Sequence, residues 1–130
     1  MTEKTVMMKE ELISFETAKL ASEVCFDIIT KYIYCSEYKN RYLNTYTCSE
    51  QMYWCPTQSL LQKWFREKYE FELWVQPVVE GIPEYEAYKE YKYIYLGFSK
   101  KTGEGFSGGS KNASFERTLE IGLQEALNLI

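Results

Sequence analysis

The sequence predicts an α+β fold: one domain, with a small antiparallel sheet and about three helices in the order α-β-β-α-β-β-α. Three observations predict it. Across residues 56–79 (PTQSLLQKWFREKYEFELWVQPVV), Leu60, Leu61, Trp64, Phe65 and Tyr69 recur at helical spacing. Phe71, Leu73 and Val75 then alternate with Glu70, Glu72 and Trp74, which is strand spacing, so a helix and a strand share one core. Finally, 130 residues with 45% hydrophobic content suit a single core, and they argue against both disorder and a second domain.

In chain order, residues 1–13 read as a loose polar lead-in. Ser14 can cap a helix to about Asp27, with Phe15, Ala18, Ala21, Val24 and Cys25 as its buried stripe. Ile28 to Cys35 is β-branched and aromatic and reads as a strand. Ser36 to Asn40 supplies a turn, and Arg41 to Thr47 returns as a second strand. A helix through Tyr38, Tyr42 and Tyr46 at i,i+4 spacing competes with that hairpin. Pro56 suits the first turn of the next helix, capped near Cys55 or Thr57.

Gly81-Ile82-Pro83 breaks the chain after Val79, and Glu84 to Glu90 reads as turn or linker. In residues 92–98, Ile94, Leu96 and Phe98 share one face, while Tyr91, Tyr93 and Tyr95 share the other. This strand should pair antiparallel with Phe71 to Val79, and its tyrosines should face water or a partner. Residues 99–112 read as a flexible glycine loop. A final helix from Ser114 carries Phe115, Leu119, Leu123, Ala126, Leu127 and Ile130 on one face.

Composition excludes much chemistry. The chain has no histidine, which removes Ser-His-Asp and Cys-His catalysis and every His-containing metal site. Net charge is −4, with six basic against eight acidic residues before Pro56 and nine against eleven after it. Neither half therefore offers a basic face for phosphates. The N-terminus lacks the apolar region of a secretory signal and no run is long enough to span a membrane, so a cytoplasmic location and reduced cysteines are expected. Cys25, Cys35, Cys48 and Cys55 form no close C-x2-4-C pair, and no metal or other cofactor is expected.

Gly103, Gly105 and Gly108 spell G-x-G-x-x-G beside Lys100, Lys101 and Lys111, the pattern of a phosphate cradle. No further parallel strand follows to complete a dinucleotide fold, so the expectation is a mobile surface loop. The carboxylate pairs Glu70/Glu72, Glu84/Glu86 and Glu116/Glu120 read as solvated faces. No enzyme is expected. ETAKLA and QKWFRE lie too far apart to form a helix-turn-helix.

The aromatic surplus (Tyr 12, Phe 7, Trp 3) is the positive signal, because tyrosine packs its ring while keeping a polar tip. Tyr32, Tyr34, Tyr38, Arg41, Tyr42, Tyr53 and Trp54 form the candidate partner-binding set, since Tyr, Trp and Arg are enriched at protein interfaces. The same tyrosines with Lys31, Lys39 and Arg41 would alternatively stack single-stranded nucleic acid. A homo-oligomer hiding these tyrosines is a further option.

Ile13 to Ala21 (ISFETAKLA), Pro56 to Glu67 (PTQSLLQKWFRE) and Gly122 to Ile130 (GLQEALNLI) together resemble a group of short uncharacterised proteins of phages and prophages of gut Bacteroidetes. The likeness covers roughly a quarter of the chain, with Phe65 standing where that group usually has leucine. It implies a small phage-type accessory protein whose partner is a host or phage protein, and it implies no chemistry.

Overall fold

Ser14, Thr57 and Ser114 each precede a run of apolar residues at helical spacing, and each caps a helix. Their hydroxyls accept from the backbone N–H of Thr17, Leu60 and Arg117, at 3.3, 3.1 and 3.1 Å. A computed structural model describes residues 10–37 and 39–130. The elements are α1 (Phe15–Glu23), β1 (Tyr32–Cys35), β2 (Arg41–Leu43), β3 (Met52–Cys55), α2 (Gln58–Tyr69), β4 (Phe71–Pro77), a 3₁₀ helix (Pro83–Tyr88), β5 (Tyr93–Ser99), β6 (Gly105–Gly108) and α3 (Phe115–Leu129).

The α+β class holds. The strands divide into two three-stranded antiparallel sheets, ordered β2-β1-β3 and β4-β5-β6. Each predicted hairpin is present, and each gains one strand that the sequence pattern concealed. The tyrosine-rich segment is strand at Arg41–Leu43, not helix; Tyr38 lies outside the described residues.

Two expectations need correcting here. Residues 1–9 of the supposed lead-in lie outside the described residues, but the stretch just after them is built into the fold. Ile13 is fully buried, and Leu12 bridges Thr57. The Gln58 N–H donates to the Glu11 carbonyl at 2.8 Å, and the Ile13 N–H donates to the Pro56 carbonyl at 3.1 Å. The glycine loop is also ordered, because Gly105–Gly108 pairs with Tyr95–Phe98 as an edge strand and turns Phe106 into the core.

The second sheet also faces the opposite way from the expectation. Tyr95 is 7% exposed and packs on Phe106, with ring centroids 5.9 Å apart, while Tyr93 meets Phe115 edge-on. On the other side of β5, Ile94 is 3% exposed, whereas Phe98 and, on the adjacent strand, Trp74 are each 40% exposed. Space decides this orientation. A side chain at Gly108 would collide with the Tyr95 hydroxyl, and one at Gly97 would collide with the Phe106 ring. Glycine on the neighbouring strands therefore makes room for the large rings beneath the helices.

The core is a continuous aromatic array. Phe26 meets Trp64 at 5.1 Å, Trp64 meets Tyr69 at 5.3 Å, Phe65 meets Phe71 at 6.0 Å, and Phe71 stacks on Phe106 at 5.4 Å. The aliphatic stripe of α3, Leu119, Leu123, Ala126 and Leu127, closes the core, while Phe115 and Ile130, expected on the same face, are left exposed at its two ends. Gly122 lets α3 settle onto the sheet, since a Cβ there would stand 2.9 Å from the Tyr95 ring. Gly122→Ala should therefore overpack this contact and lower unfolding free energy by about 1–3 kcal/mol, read from the denaturant midpoint.

Candidate functional site

Alternation along β1 gives the first sheet two chemically different faces. Register places Tyr34 opposite both Arg41 and Tyr53, and Tyr32 opposite both Leu43 and Cys55. These residues share the face toward α1. Ile33, opposite Tyr42 and Trp54, lies on the other face. The six candidate partner-binding residues that lie among the described residues are thus not one surface.

On the inner face Tyr34 is 3% exposed, and its hydroxyl donates to the Ile13 carbonyl at 2.7 Å. The Cys55 thiol donates to the same carbonyl at 3.7 Å. Phe15 packs edge-on against Tyr34 and Tyr53, at 5.6 and 5.7 Å. Tyr34 is a core residue and cannot present its ring to a partner. Tyr53 is half-buried beside it, as is Tyr32.

The outer face is different. The rings of Tyr42 and Tyr46 lie nearly parallel, 4.1 Å apart at 11°, and Tyr46 is 44% exposed. Trp54 is half-buried on the same face, two strands from Tyr42. A Cys35–Cys48 disulfide ties the Tyr46 segment back to β1. This corrects the expectation of four reduced thiols; Cys25 and Cys55 are the free ones. Tyr46 completes the stack, and only its place in the aromatic run marked it in the sequence.

The three cations proposed for nucleic acid engage other rings. Lys31 lies 5.5 Å from the Tyr32 ring, Lys39 lies 5.5 Å from Phe15, and Arg41 lies 5.9 Å from Tyr34. Tyr34 and Phe15 belong to the inner side, away from the Tyr42–Tyr46 stack.

Sequence reasoning missed Glu120. It was expected on a solvated helix face, yet it is 6% exposed. Its Oε2 accepts from the Ser14 N–H at 3.0 Å, from the Ser14 hydroxyl at 2.9 Å, and from the Thr17 hydroxyl; its Oε1 accepts from the Gln58 amide at 3.0 Å. The Gln58 amide also donates to the Glu116 carbonyl at 2.9 Å. No lysine or arginine pairs with Glu120 among the described residues. Its charge is met by hydroxyl and amide donors at the N-terminus of α1, where a carboxylate is favoured. Beside it opens a cavity of about 250 Å³ lined by Ser14, Arg41, Gln58, Arg117 and Glu120.

A larger cleft of about 420 Å³ lies between β6 and the end of α3, with Tyr69, Phe71 and Phe106 as its floor and Lys101 and Glu104 among its polar lining. The phosphate-cradle pattern does not form a cradle. The Gly105–Gly108 backbone is committed to β5, Lys100 pairs with Glu72 at 3.5 Å, and Lys111 pairs with Glu90 at 2.7 Å. Among the described residues, no group of three or more His, Cys, Asp or Glu side chains is placed to hold a metal ion, and no helix is long and apolar enough to cross a membrane.

Comparison with known proteins gives no relative. No protein-family model, curated protein or solved structure matches the chain.

Two tests address the buried polar groups. Glu120→Gln replaces an acceptor oxygen with a donor among groups that already donate, so at least one buried donor loses its partner. The variant should lose about 1–3 kcal/mol for each donor stranded, measured by denaturant unfolding. Burial pushes the Cys55 thiol up from 9.0 to about 11, and burial first and the neighbouring Cys55 second raise the Tyr34 hydroxyl above its ordinary 10.0. Both groups hold protons more tightly when folded: the Cys55 contribution is complete below pH 9 and is lost as pH climbs through about 11, and the Tyr34 contribution begins to be lost only above pH 10. Thermal midpoints should be flat from pH 7 to about 8.5, then fall, and fall less in Cys55→Ala relative to its own neutral-pH value.

Proposed function

We propose that this chain is a small accessory protein, of phage or prophage type, that works in the cytoplasm by binding a host or phage protein. The Tyr42–Tyr46 stack carries the reading. Two parallel rings, one of them 44% exposed, stand on the sheet face that also carries Trp54. Aromatic side chains of this kind bring large, stiff contact area at small entropic cost, which is why they anchor interfaces. The surface is narrower than the sequence suggested: Tyr42, Tyr46 and Trp54 form it, and Tyr34 supports it from behind.

Single-stranded nucleic acid is the weaker use of the same rings. Stacked bases need a cationic track beside the platform, and Arg41 and Lys39 reach toward the inner side instead. The overall charge of −4 adds to the argument.

The test is capture of partners from host lysate at moderate salt, with and without nuclease, followed by titration of the purified partner. Tyr42→Ala combined with Tyr46→Ala should weaken binding at least about tenfold. Phe98→Ser, on the outer face of the other sheet, should leave it unchanged. Binding indifferent to the tyrosine pair would overturn the reading, and capture abolished by nuclease would replace it with nucleic acid.

A further inference from the structure

The bonded sulfurs of Cys35 and Cys48 sit in unlike surroundings. Cys35 lies on β1 and is 2% exposed, whereas Cys48 is half-buried in a segment whose other residues, from Asn44 to Gln51, are exposed. The loop that they close contains β2 and both members of the Tyr42–Tyr46 stack. Ile33, on the same face, is 2% exposed yet lies outside the main core cluster. Its cross-strand neighbours are Tyr42 and Trp54, held beside it by strand pairing, and Tyr46, stacked on Tyr42, lies on the stretch that the disulfide anchors.

We propose that the Cys35–Cys48 disulfide is a reversible modification site, and that its reduction by a dithiol opens the Tyr42–Tyr46 platform. Access sets the direction of attack. A thiolate of the dithiol attacks Cys48 Sγ, the Cys35–Cys48 bond breaks, and Cys35 leaves as a thiolate that takes a proton from water. The second thiolate of the reductant then attacks its own sulfur in the mixed disulfide and displaces Cys48, which is protonated in turn. Two electrons pass to the cysteine pair, and the dithiol becomes a disulfide. Cys55 stays out of the exchange, being 1% exposed and on the opposite face of the sheet from Cys35.

With the bond open, β2 stays paired with β1 and Asn44 keeps its bonds to Lys31 and Thr30, but the stretch from Tyr46 to Cys48 loses its covalent tie, so the Tyr46 ring can leave Tyr42. The platform exists in the oxidised form and is dispersed in the reduced one. Cytoplasmic disulfides characteristically form and break in this way. The consequence for partner binding rests on the interaction reading above, while the latch itself is measured without a partner.

Limited trypsin digestion of the whole chain, before and after treatment with dithiothreitol, tests the latch. Lys39 and Arg41 are exposed and lie inside the closed loop. Cleavage at these residues should accelerate at least about tenfold on reduction. Alkylation of the unfolded chain should show two additional thiols, as the disulfide requires. Cys48→Ser should cleave at the fast rate with or without dithiothreitol, and its far-UV spectrum reports whether the rest of the fold is intact. An unchanged cleavage rate after the bond is open would overturn the proposal, as would an oxidised protein in which Cys35 and Cys48 already alkylate. Should reduction loosen the loop while a captured partner binds both forms equally, the latch stands and the interaction reading at this platform falls.

Discussion

The structure depends on the short extended segment Glu11–Ser14, which is hydrogen-bonded to three other parts of the chain. Its backbone pairs with Pro56 and Gln58 at the β3–α2 junction. The Ile13 carbonyl receives Tyr34 and Cys55 from the first sheet, and the Ser14 N–H and hydroxyl are received by Glu120 of α3. A carboxylate taken out of water is costly unless its oxygens are fully engaged. Four donors engage Glu120, and they come from α1, its cap and α2. Three helices are thereby brought into one register around a single side chain, and the apolar contacts pack within that frame.

The second sheet meets a different constraint. Large rings between a sheet and a helix need space on the elements around them, and glycines at 97 and 108 on the strands and at 122 on α3 provide it. A stretch that resembles an anion-binding loop in one dimension is, in three, a means of fitting Tyr95 and Phe106 side by side. The same short edge strand forms part of the 420 Å³ cleft.

Much of the fold was legible in the residues. The three capped helices, the β4–β5 pairing and the tyrosine hairpin follow from local pattern, where period and capping chemistry act over a few residues. What escaped was set by long-range contact. Met52–Cys55 is four residues long, and its pairing with β1 spans a loop, so no local alternation announces it. Glu120 lies at a position where the helical pattern permits either face, and only the approach of Ser14 and Gln58, 106 and 62 residues away in sequence, decides for the interior. The tyrosines of β5 pointed inward because glycines on other elements admitted them. The candidate site was half legible: the sequence located the aromatic segment, but only register divides Tyr34 from Tyr42.

That division has a consequence for how the protein changes over time. On β1, adjacent residues answer to separate demands. Tyr34 is bound into the helix-facing interior, while Ile33 lies outside the main core cluster, between Tyr42 and Trp54. The hydrogen bond that holds Tyr34 to the Ile13 carbonyl involves neither Tyr42 nor Tyr46. A change of side chain at Tyr42 or Tyr46 is thereby separable from the interior that Tyr34 helps to hold.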